Sequence, residues 1–477
     1  MKGDFGHCVD TDKRLKSSHE FNILFHALSR AFTMPFSILD LPTELHEQII
    51  DYAVYSTPKS TKDILAFALV CRIWTPRSRH HLSLSLDETT VKFKQLRTLN
   101  ELCQHPLSTL IYIGTLQVSN TGSTRLRSKQ NLLDHSAVDT LFSRQFMSKD
   151  RKGLRVLESA FVQLKELGLE RVGWWTLKGA ARNSLIHGFR SVTKLDLSFV
   201  SFDDFGHFHE LVCSFPLLET LHANLQHRFP ALAEHSRSVT KKPGFQLPPN
   251  LHSVQVASLD KAALGAVAAL TPCPSLRHFH WRSYEFYHLE ETEFCIIGDF
   301  IASAGSSLVN LSLTFDVDSL SNDIKVRKPS FDVAVGQFRH FQDSVDLSEN
   351  LSLQNLTLDI RPDPYLVLFL HHSLPYLSAL SIHSLSIPFL EDVIFALKNH
   401  ILWEVPTDKM TEKDLILGLQ HPALQNVQKL EFSTRGWFSR DTAVDRIGEI
   451  LSEFLEERGV SLETYPPKFS TEFVPSY

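Results

Sequence analysis

Apolar residues recur along most of the chain in a short pattern, L-x-x-L-x-L, in which other apolar residues can replace leucine. Nine such hexads occur in order, and most successive starting positions lie 24 to 33 residues apart. They begin at Leu164, Val192, Leu218, Leu251, Leu276, Leu308, Leu353, Leu377 and Val427, with a tenth at Ile113. The last two apolar residues of a hexad are two positions apart, so in a strand they point to the same side. The pattern predicts a series of short strands, each with one buried face.

Between several hexads the apolar spacing changes to the period of a helix. The segment FDDFGHFHELVCSF places Phe205, Phe208, Leu211 and Val212 on one helical face, and ETEFCIIGDFIASA and IPFLEDVIFALKNH behave alike. Strands that alternate with helices predict parallel strands joined by crossover helices. Because one strand–helix unit cannot bury both of its apolar faces, the units are expected to stack.

The hexads resemble those of leucine-rich repeats over roughly residues 113–432. The resemblance implies an α/β fold, an irregular solenoid of parallel strands with crossover helices. The asparagine that usually follows the last strand leucine by three residues is missing, and Val172 and Val200 stand at two of these places. We therefore expect irregular curvature, with insertions near 315–350 and 383–426. A compact α/β sheet built from similar units is the competing fold.

A segment near the N-terminus, LPTELHEQIIDYAVYSTPKSTKDILAFALVCRIW (41–74), has a different pattern. It predicts one helix that starts near Pro42 and a second that starts at Asp63, separated by the helix-breaking STPKST. Two short helices cannot shield Ile50, Val70 and Trp74 from water by themselves. The segment therefore predicts a surface that a partner covers.

The order LPTEL, an isoleucine pair, DIL and VCRIW resembles an F-box. The resemblance implies that this module docks on a Skp-type adaptor, which joins it to a cullin-based ubiquitin ligase. The adaptor contacts carried over by the motif are Leu41, Pro42, Leu45, Ile49, Val70, Cys71 and Trp74. The alternative is that these helices only cap the N-terminal end of the repeats. A cap does not require LP, VC and W in this order, so docking is favoured.

The patterns divide the chain into four parts: a partly helical segment at 1–37, the F-box at 38–80, the leucine-rich-repeat-like solenoid at 81–440, and a C-terminal capping helix with a tail at 441–477. The capping helix is predicted from an apolar stripe formed by Val444, Ile447, Ile450, Leu451, Phe454 and Leu455.

The residues between the apolar positions of the hexads are expected to form the concave face, which is the candidate target surface. Its most distinctive group is His278, His280 and Arg282, followed by Asn310 and Ser312 in the next hexad. We expect these five residues to contribute to binding of a protein target, although an ordinary solvated polar face is the alternative. The H-x-H spacing could form half of a metal site, but no third ligand is apparent, so no metal is expected.

Composition changes this picture by exclusion. A formal charge of −6 argues against a general nucleic-acid binder. Six cysteines without a C-x-x-C pair favour a reducing compartment, so we expect the cytoplasm and/or the nucleus. The sequence has no apolar run of 18 or more residues, so no membrane span is predicted, and the N-terminus has no apolar signal core. No phosphate-binding loop, nucleophile elbow or zinc-protease helix occurs, so neither a catalytic residue nor a cofactor is expected.

The sequence thus predicts a non-catalytic substrate-recognition subunit of a cullin-type ubiquitin ligase, whose repeats bind the target protein. Two rivals remain. One is a leucine-rich-repeat interaction scaffold without a ligase role, and the other is an enzyme with a site on the concave face or within 315–350.

Overall fold

The computed structural model describes a helical segment near the N-terminus and a long series of strand-containing units. The described residues are 41–56, 73–74, 77–78, 88–92, 113–119, 142, 146–147, 154–155, 161, 163–202, 204–225, 246–258, 262–283, 291–316, 336, 339–341, 343–361, 382–387, 412–420, 424–433 and 440–465. The predicted segment 1–37 and most of the helix predicted in IPFLEDVIFALKNH lie outside these residues.

The strands of the described residues form one long parallel sheet and one small antiparallel pair. In chain order they are β1 (Glu88–Lys92), β2 (Thr115–Ser119), β3 (Phe146–Met147), β4 (Leu154–Arg155), β5 (Glu166–Glu170), β6 (Lys194–Val200), β7 (Thr220–Leu225), β8 (Ser253–Ser258), β9 (His278–Ser283), β10 (Asn310–Asp316), β11 (Asn355–Arg361), β12 (Ser384–Ser386), β13 (Lys429–Ser433) and β14 (Ser461–Tyr465). β3 pairs with β4, and the other 12 strands form the parallel sheet in the order of the chain.

This sequential order decides between the two predicted folds. A compact doubly wound sheet reverses its strand order and places a later strand beside an early one. Stacked units instead add each strand beside the one before it, which is the order of the 12 strands here. The chain is an α/β solenoid of parallel strands, as the hexads predict.

The alternation within each hexad produces the two faces of the sheet. In β6, Leu195 and Leu197 are fully buried, whereas Lys194 and Asp196 on the opposite face are partly exposed. The apolar residues of successive strands join the helices in one continuous core. Full burial of a leucine side chain stabilises the folded state by about 1.5–3 kcal/mol. Because the neighbouring units complete this burial, each unit depends on its neighbours for stability.

A repeated hydrogen-bond pattern fixes the register between neighbouring units. The amides of the second and third hexad residues both donate to the carbonyl oxygen of the second hexad residue in the preceding unit. Arg277 N and His278 N donate to His252 O at 2.8 and 2.9 Å, and Val309 N and Asn310 N donate to Arg277 O at 2.8 and 2.9 Å. The arrangement recurs at every step from β5 to β13. Neighbouring units are therefore joined in the same way along the array.

A serine directly before the hexad adds a side-chain bond between several units. The hydroxyls of Ser191, Ser275 and Ser307 donate at 2.8 Å to the first hexad carbonyl of the preceding unit, which belongs to Leu164, Leu251 and Leu276 respectively. These serines supply the kind of side chain–backbone bond that the missing asparagines provide in regular repeats. These serines were not predicted, although the recurring SVTKLDL, SLRHFHW and SLVNLSL is a signal that could have identified them.

Removal of one of these hydroxyls is expected to weaken the array measurably. Ser307 Oγ lies 2.7–2.8 Å from three backbone carbonyl oxygens, so Ser307→Ala leaves the carbonyls without this donor. We expect a loss of about 1 kcal/mol in the free energy of unfolding, measured by urea denaturation. Ser306→Ala, at the adjacent exposed position, is the matched control and should stay within about 0.5 kcal/mol of the parent. Equal values for the two variants would contradict the role of Ser307.

Seven described α-helices accompany the strands: α1 (Thr43–Ser56), α2 (Gly179–Gly188), α3 (Phe205–Cys213), α4 (Ala262–Leu270), α5 (Glu291–Ala304), α6 (Glu412–Leu419) and α7 (Arg440–Arg458). The carboxylate of Asp204 caps α3 by accepting from Gly206 N at 2.8 Å. The predicted apolar face of α3 is confirmed, because Phe208, Leu211 and Val212 are fully buried. None of the described helices has both the length and the apolar character needed to cross a membrane.

One predicted hexad is corrected by the pairing of β12. Leu385 pairs with Leu356 on β11 and with Leu430 on β13. The hexad of this unit is therefore IHSLSI, which begins at Ile382, and not the one predicted at Leu377. The change of five residues alters which side chains of the unit face the core, because side chains alternate along a strand.

The structure also changes two predicted boundaries. The sheet continues through β14, past the predicted end of the repeats at 440, and α7 leads into this additional strand. Within the predicted insertion 315–350, the Phe341 ring packs edge-on against Phe294 and Phe315, each at a centroid distance of 5.8 Å. The described part of that insertion therefore belongs to the core.

The valines at the missing asparagine positions are core residues as well. Val172 and Val200 are 1% and 0% exposed. The residues before them, Arg171 and Phe199, both have φ of 56°, a left-handed conformation that is uncommon for residues other than glycine, asparagine and aspartate. Arg171 directly follows β5, whereas Phe199 lies at an irregularity near the end of β6, between Ser198 and Val200. In both places the next side chain, a valine, is buried where a regular repeat has a polar residue.

Candidate functional site

The face of the sheet opposite the buried leucines, predicted to be concave, carries a groove in the middle of the array. We call it the central groove; its volume is about 260 Å³, and its lining residues are His222, Ser253, Val254, Gln255, His278, Phe279, His280, Asn310, Leu311, Ser312, Asn355 and Thr357. Four of the five predicted target-binding residues, His278, His280, Asn310 and Ser312, line it. Arg282, the fifth, lies two residues beyond His280 on β9 and is not part of the lining.

Parallel pairing places the polar side chains of neighbouring strands side by side in two columns. From β8 to β11, the first column is Ser253, His278, Asn310 and Asn355, and the second is Gln255, His280, Ser312 and Thr357. The sequence analysis could place these residues on one face because they occupy equal positions in their hexads.

Hydrogen bonds join three neighbouring side chains of the first column. Asn355 Nδ2 donates to Asn310 Oδ1, and Asn310 Nδ2 donates to His278 Nδ1. Since an amide nitrogen can only donate, His278 Nδ1 is the acceptor, and this imidazole is neutral with its proton on Nε2. The ring of His252 lies edge-on to His278 at a centroid distance of 6.1 Å. Neutral groups with fixed directions therefore form this side of the groove.

Two of the three histidines that line the groove, His278 and His280, have lowered pKa values. Burial lowers the pKa of His280 to about 4, with smaller contributions from the positive charge of Arg282 and from His222. Burial is also the main cause that lowers the pKa of His278, followed by His252 and Arg277. The two imidazoles are consequently uncharged at neutral pH and act as hydrogen-bonding groups.

The charged side chains of the sheet face lie on either side of the groove, and several are paired. On β5 and β6, Lys194 Nζ lies 3.2 Å from Glu166 Oε2. On β13 and β14, Lys429 Nζ lies 2.5 Å from Glu431 Oε1 and 2.7 Å from Glu463 Oε2, and the hydrogen bonds to these carboxylates raise the pKa of Lys429. The two columns from β8 to β11 contain no acidic or basic side chain other than histidine.

Acidification is expected to destabilise the array through His280. With a pKa of about 4 in the folded state and about 6.5 when unfolded, this histidine binds fewer protons folded than unfolded between these values. Its contribution is therefore fully present above about pH 6.5 and decreases as the pH falls towards 4. The integrated loss at pH 4.5 is about 2.5 kcal/mol relative to neutral pH.

Urea denaturation at about pH 7.5 and about pH 4.5 measures this loss. His280→Gln should lose about 2.5 kcal/mol less than the parent between the two conditions, because glutamine does not titrate. His187→Gln, which replaces an exposed histidine at the end of α2, is the matched control and should behave as the parent does. The same pH dependence in the parent and in His280→Gln would contradict the assignment.

The described part of the chain contains no group of three or more His, Cys, Asp or Glu side chains that could hold a metal ion. Cys273 illustrates how a potentially reactive side chain is used in the core. It is 1% exposed, and burial raises the pKa of its thiol to about 11. A thiol in this state is protonated at neutral pH and is not a nucleophile.

The second candidate surface is on α1, which contains the first half of the F-box-like motif. The helix begins at Thr43, and the amides of Leu45 and His46 donate to Pro42 O at 3.0 and 3.2 Å. Proline suits this place because the first amides of a helix have no intrahelical acceptor. The predicted helix start near Pro42 is confirmed.

α1 is apolar on two faces. His46, Ile50 and Ala53, which recur at helical spacing, are buried, with exposed fractions of 1%, 0% and 7%. On the other face Leu45 is 43% exposed and Tyr52 is 58% exposed. Ile49 lies between these two and is half-buried. A helix face that contacts only water is normally polar, so the apolar residues on this face are not explained by contact with solvent.

The buried face of α1 is held by residues from the second half of the motif. Trp74 is 7% exposed, and its Nε1 donates to His46 Nδ1 at 2.7 Å. Arg77 donates from Nε and Nη2 to the two carboxylate oxygens of Asp51, each at 2.6 Å. His46, Asp51 and Arg77 were not singled out from the sequence; the available signal was a histidine at helical spacing from Ile50 and Ala53.

The structure places the predicted adaptor contacts in different environments. Pro42 and Leu45 are exposed, Leu41 and Ile49 are half-buried, and Trp74 is buried. Val70 and Cys71 lie outside the described residues. The structure therefore leaves Pro42, Leu45 and Ile49 accessible to a partner. The expectation that Ile50 and Trp74 need a partner to shield them is wrong, because the chain itself buries both.

Comparisons with known proteins add a weak structural likeness. No protein-family model matches the chain, and no curated protein matches it. Among solved structures, a similar chain belongs to the crystal structure of the Rad7 and Elc1 complex in yeast, with 11% sequence identity and a TM-score of 0.34. The alignment covers 94% of this chain and 91% of that chain. At this TM-score the likeness carries no argument, and the fold described above rests on the sheet itself.

Proposed function

We propose that the chain is the non-catalytic, target-recognition subunit of a cullin-type ubiquitin ligase. The observation that carries the proposal is the second apolar face of α1, formed by Leu45, Ile49 and Tyr52. The first apolar face already packs within the chain, through Ile50 and Trp74. A second apolar face at the surface of a short helix is expected where another protein covers it.

A Skp-type adaptor is the proposed partner, because Leu45 and Ile49 are contact positions that the F-box resemblance implies. Complete burial of a large apolar side chain contributes about 1.5–3 kcal/mol. Leu45, Ile49, Tyr52 and the 41%-exposed Ile73 are already about half-buried. Covering the rest of these four side chains would therefore contribute roughly 3–6 kcal/mol before the cost of association. This is the apolar contribution of α1 and Ile73 to the proposed complex.

The sheet face would then select the protein to be ubiquitinated. The central groove is the concave site with hydrogen-bonding groups on this face, which suits recognition more than chemistry. In this proposal the chain supplies no catalytic residue and needs no cofactor. Free cysteines at 213, 273 and 295 fit a protein of the cytoplasm or the nucleus.

A scaffold without a ligase role is the second candidate, and the burial of Trp74 favours it. Trp74 packs against α1 and bonds to His46, so the tryptophan that closes the motif serves the chain's own structure. A degenerate F-box that has become a cap for the repeats would use Trp74 in this way.

Co-purification separates the two candidates. The full chain, co-expressed with a Skp-type adaptor and a cullin, should retain both through affinity purification under the ligase proposal. Leu41→Ala combined with Pro42→Ala should release the adaptor and the cullin together while proteins bound to the repeats stay. If the unmodified chain retains no adaptor, the scaffold is the correct function.

A further inference from the structure

The central groove differs in charge from the regions beside it. Its two columns from β8 to β11 contain hydroxyl, amide and imidazole groups. The next charged positions along these columns are Lys194 and Asp196 on β6 and Lys429 and Glu431 on β13. Lys194 is paired with Glu166, and Lys429 is paired with Glu431. A charged ligand in the groove would lose hydration without gaining an opposite charge there, and this loss opposes binding.

Fixed charges of both signs lie at the edges of the groove. Arg282 on β9 and Asp359 on β11 lie in the next column, on either side of Thr314, just beyond the second column. At the other edge, Arg277 directly precedes His278 and contributes to lowering its pKa. The two columns themselves contain no fixed charge, so the groups that a ligand meets along them are hydrogen-bonding groups.

The polar groups of the groove are arranged to donate and accept in fixed directions. In the first column, Asn310 and Asn355 each use one amide N–H in a hydrogen bond to the neighbouring side chain. Each therefore retains a second donor that meets no hydrogen-bond acceptor among the described residues. His278 presents its Nε2–H because its Nδ1 accepts from Asn310. His278 and His280 stay neutral at neutral pH, since their pKa values are lowered. Such groups complement peptide amides, carbonyls and uncharged polar side chains.

The dimensions of the row fit a short extended segment. Neighbouring strands lie about 4.8 Å apart, so the four strands from β8 to β11 span about 14 Å. An extended peptide rises about 3.3 Å per residue, and about four residues therefore cover this distance. The segment would lie across the strands, with its polar groups over the hydrogen-bonded row of Asn355, Asn310 and His278.

We infer that the target segment bound in the central groove is an extended, uncharged polar peptide, recognised by hydrogen bonds and not by charge. The inference rests on the proposed role of the sheet face in target recognition and names the chemistry of the ligand. It separates this site from one for acidic, basic or phosphorylated peptides. Discrimination arises because an apolar peptide would cover the polar groups of the groove and leave them without hydrogen-bond partners.

Selection from random peptides of roughly a dozen residues, displayed on phage and bound to the immobilised full chain, tests this inference. The expected result is enrichment of peptides that contain a run of about four residues from Asn, Gln, Ser and Thr, without acidic or basic residues in the run. The affinity of the protein for a synthesised copy of an enriched peptide should change less than about twofold between about 0.05 and about 0.5 M salt, because salt screening does not affect uncharged groups.

Two matched substitutions locate the binding. Gln255→Glu places a carboxylate in the second column of the groove and should weaken binding of the winning peptide about tenfold or more. Gln117→Glu makes the same change in the equivalent position of β2, outside the groove, and should leave binding unchanged. Thermal unfolding of both variants shows whether each is folded.

Several results would overturn the inference: enrichment of charged peptides, strong weakening by salt, equal effects of the two substitutions, or no enrichment over a column without protein. Adaptor binding is measured separately and distinguishes this failure from failure of the proposed function. A chain that retains the adaptor but selects no peptide loses only the groove inference. A chain that selects such peptides but binds no adaptor keeps the groove and loses the ligase role.

Discussion

Replacement of both Leu45 and Ile49 by aspartate is expected to abolish capture of a Skp-type adaptor. The two side chains lie one helical turn apart on the accessible apolar face of α1. In a complex, each new carboxylate would be buried against an apolar surface without a partner, and each would cost several kcal/mol. Even about 3 kcal/mol in total weakens binding more than 100-fold. Titration calorimetry with the purified adaptor measures the change.

The controls for this variant come from the same helix. Thr43→Asp adds a carboxylate at an exposed position in the first turn of α1, on the side away from Leu45 and Ile49, and should bind the adaptor as the parent does. Leu45→Asp alone changes a side chain that is 43% exposed, so it should weaken binding while thermal unfolding stays as in the parent. An undiminished affinity of the double variant would exclude this face as the docking site.

Gly298→Ala is expected to be among the most destabilising single changes in the array. A Cβ at this position of α5 would lie 1.9 Å from the backbone oxygen of Ser344. Because a backbone atom cannot move aside by changing a rotamer, the helix or the 343–347 segment must shift, and the packing of Phe294 on Phe341 would be disturbed. We expect a loss of about 3 kcal/mol in the free energy of unfolding, measured by urea denaturation.

Gly448→Ala provides the matched control for this change. Gly448 also lies inside a helix, α7, but a Cβ built there meets no atom within 4 Å. Alanine has the higher helix propensity, so this variant should gain about 0.5–1 kcal/mol. A gain of the same sign for Gly298→Ala would mean that α5 does not approach Ser344 as closely as the structure indicates.

The fold could be predicted because its determinants are local and repeated. Each hexad contains its own alternation, and most recur at a nearly constant distance, so the parallel solenoid follows from the pattern. The register of one unit could not be predicted in the same way. LSALSI and IHSLSI overlap at Ile382 and satisfy the same local pattern. The pairing of Leu385 with Leu356 and Leu430 selects the second, and this choice depends on residues that are distant in sequence.

For the candidate surfaces as well, features set by local sequence could be predicted, and features set by contacts between distant residues could not. Equal hexad positions were sufficient to bring His278, His280, Asn310 and Ser312 to one groove. Their neutral charge state depends on burial and on a hydrogen bond between residues 32 positions apart, which a sequence does not display. In α1, the two apolar faces could be read from the helical spacing. Which of them the chain covers depends on Trp74, 28 residues from its partner His46.

The carbonyl shared by two amides at each junction has a mechanical consequence. Each unit from β5 to β13 is bonded through this pattern to the unit before it. A pulling force applied at the two ends therefore acts on these junctions in series, and the units should be lost one after another. With most units 24 to 33 residues long, the contour length released at each step is roughly 90 Å. Under load, the array would therefore lengthen in discrete steps, and each step would release one unit.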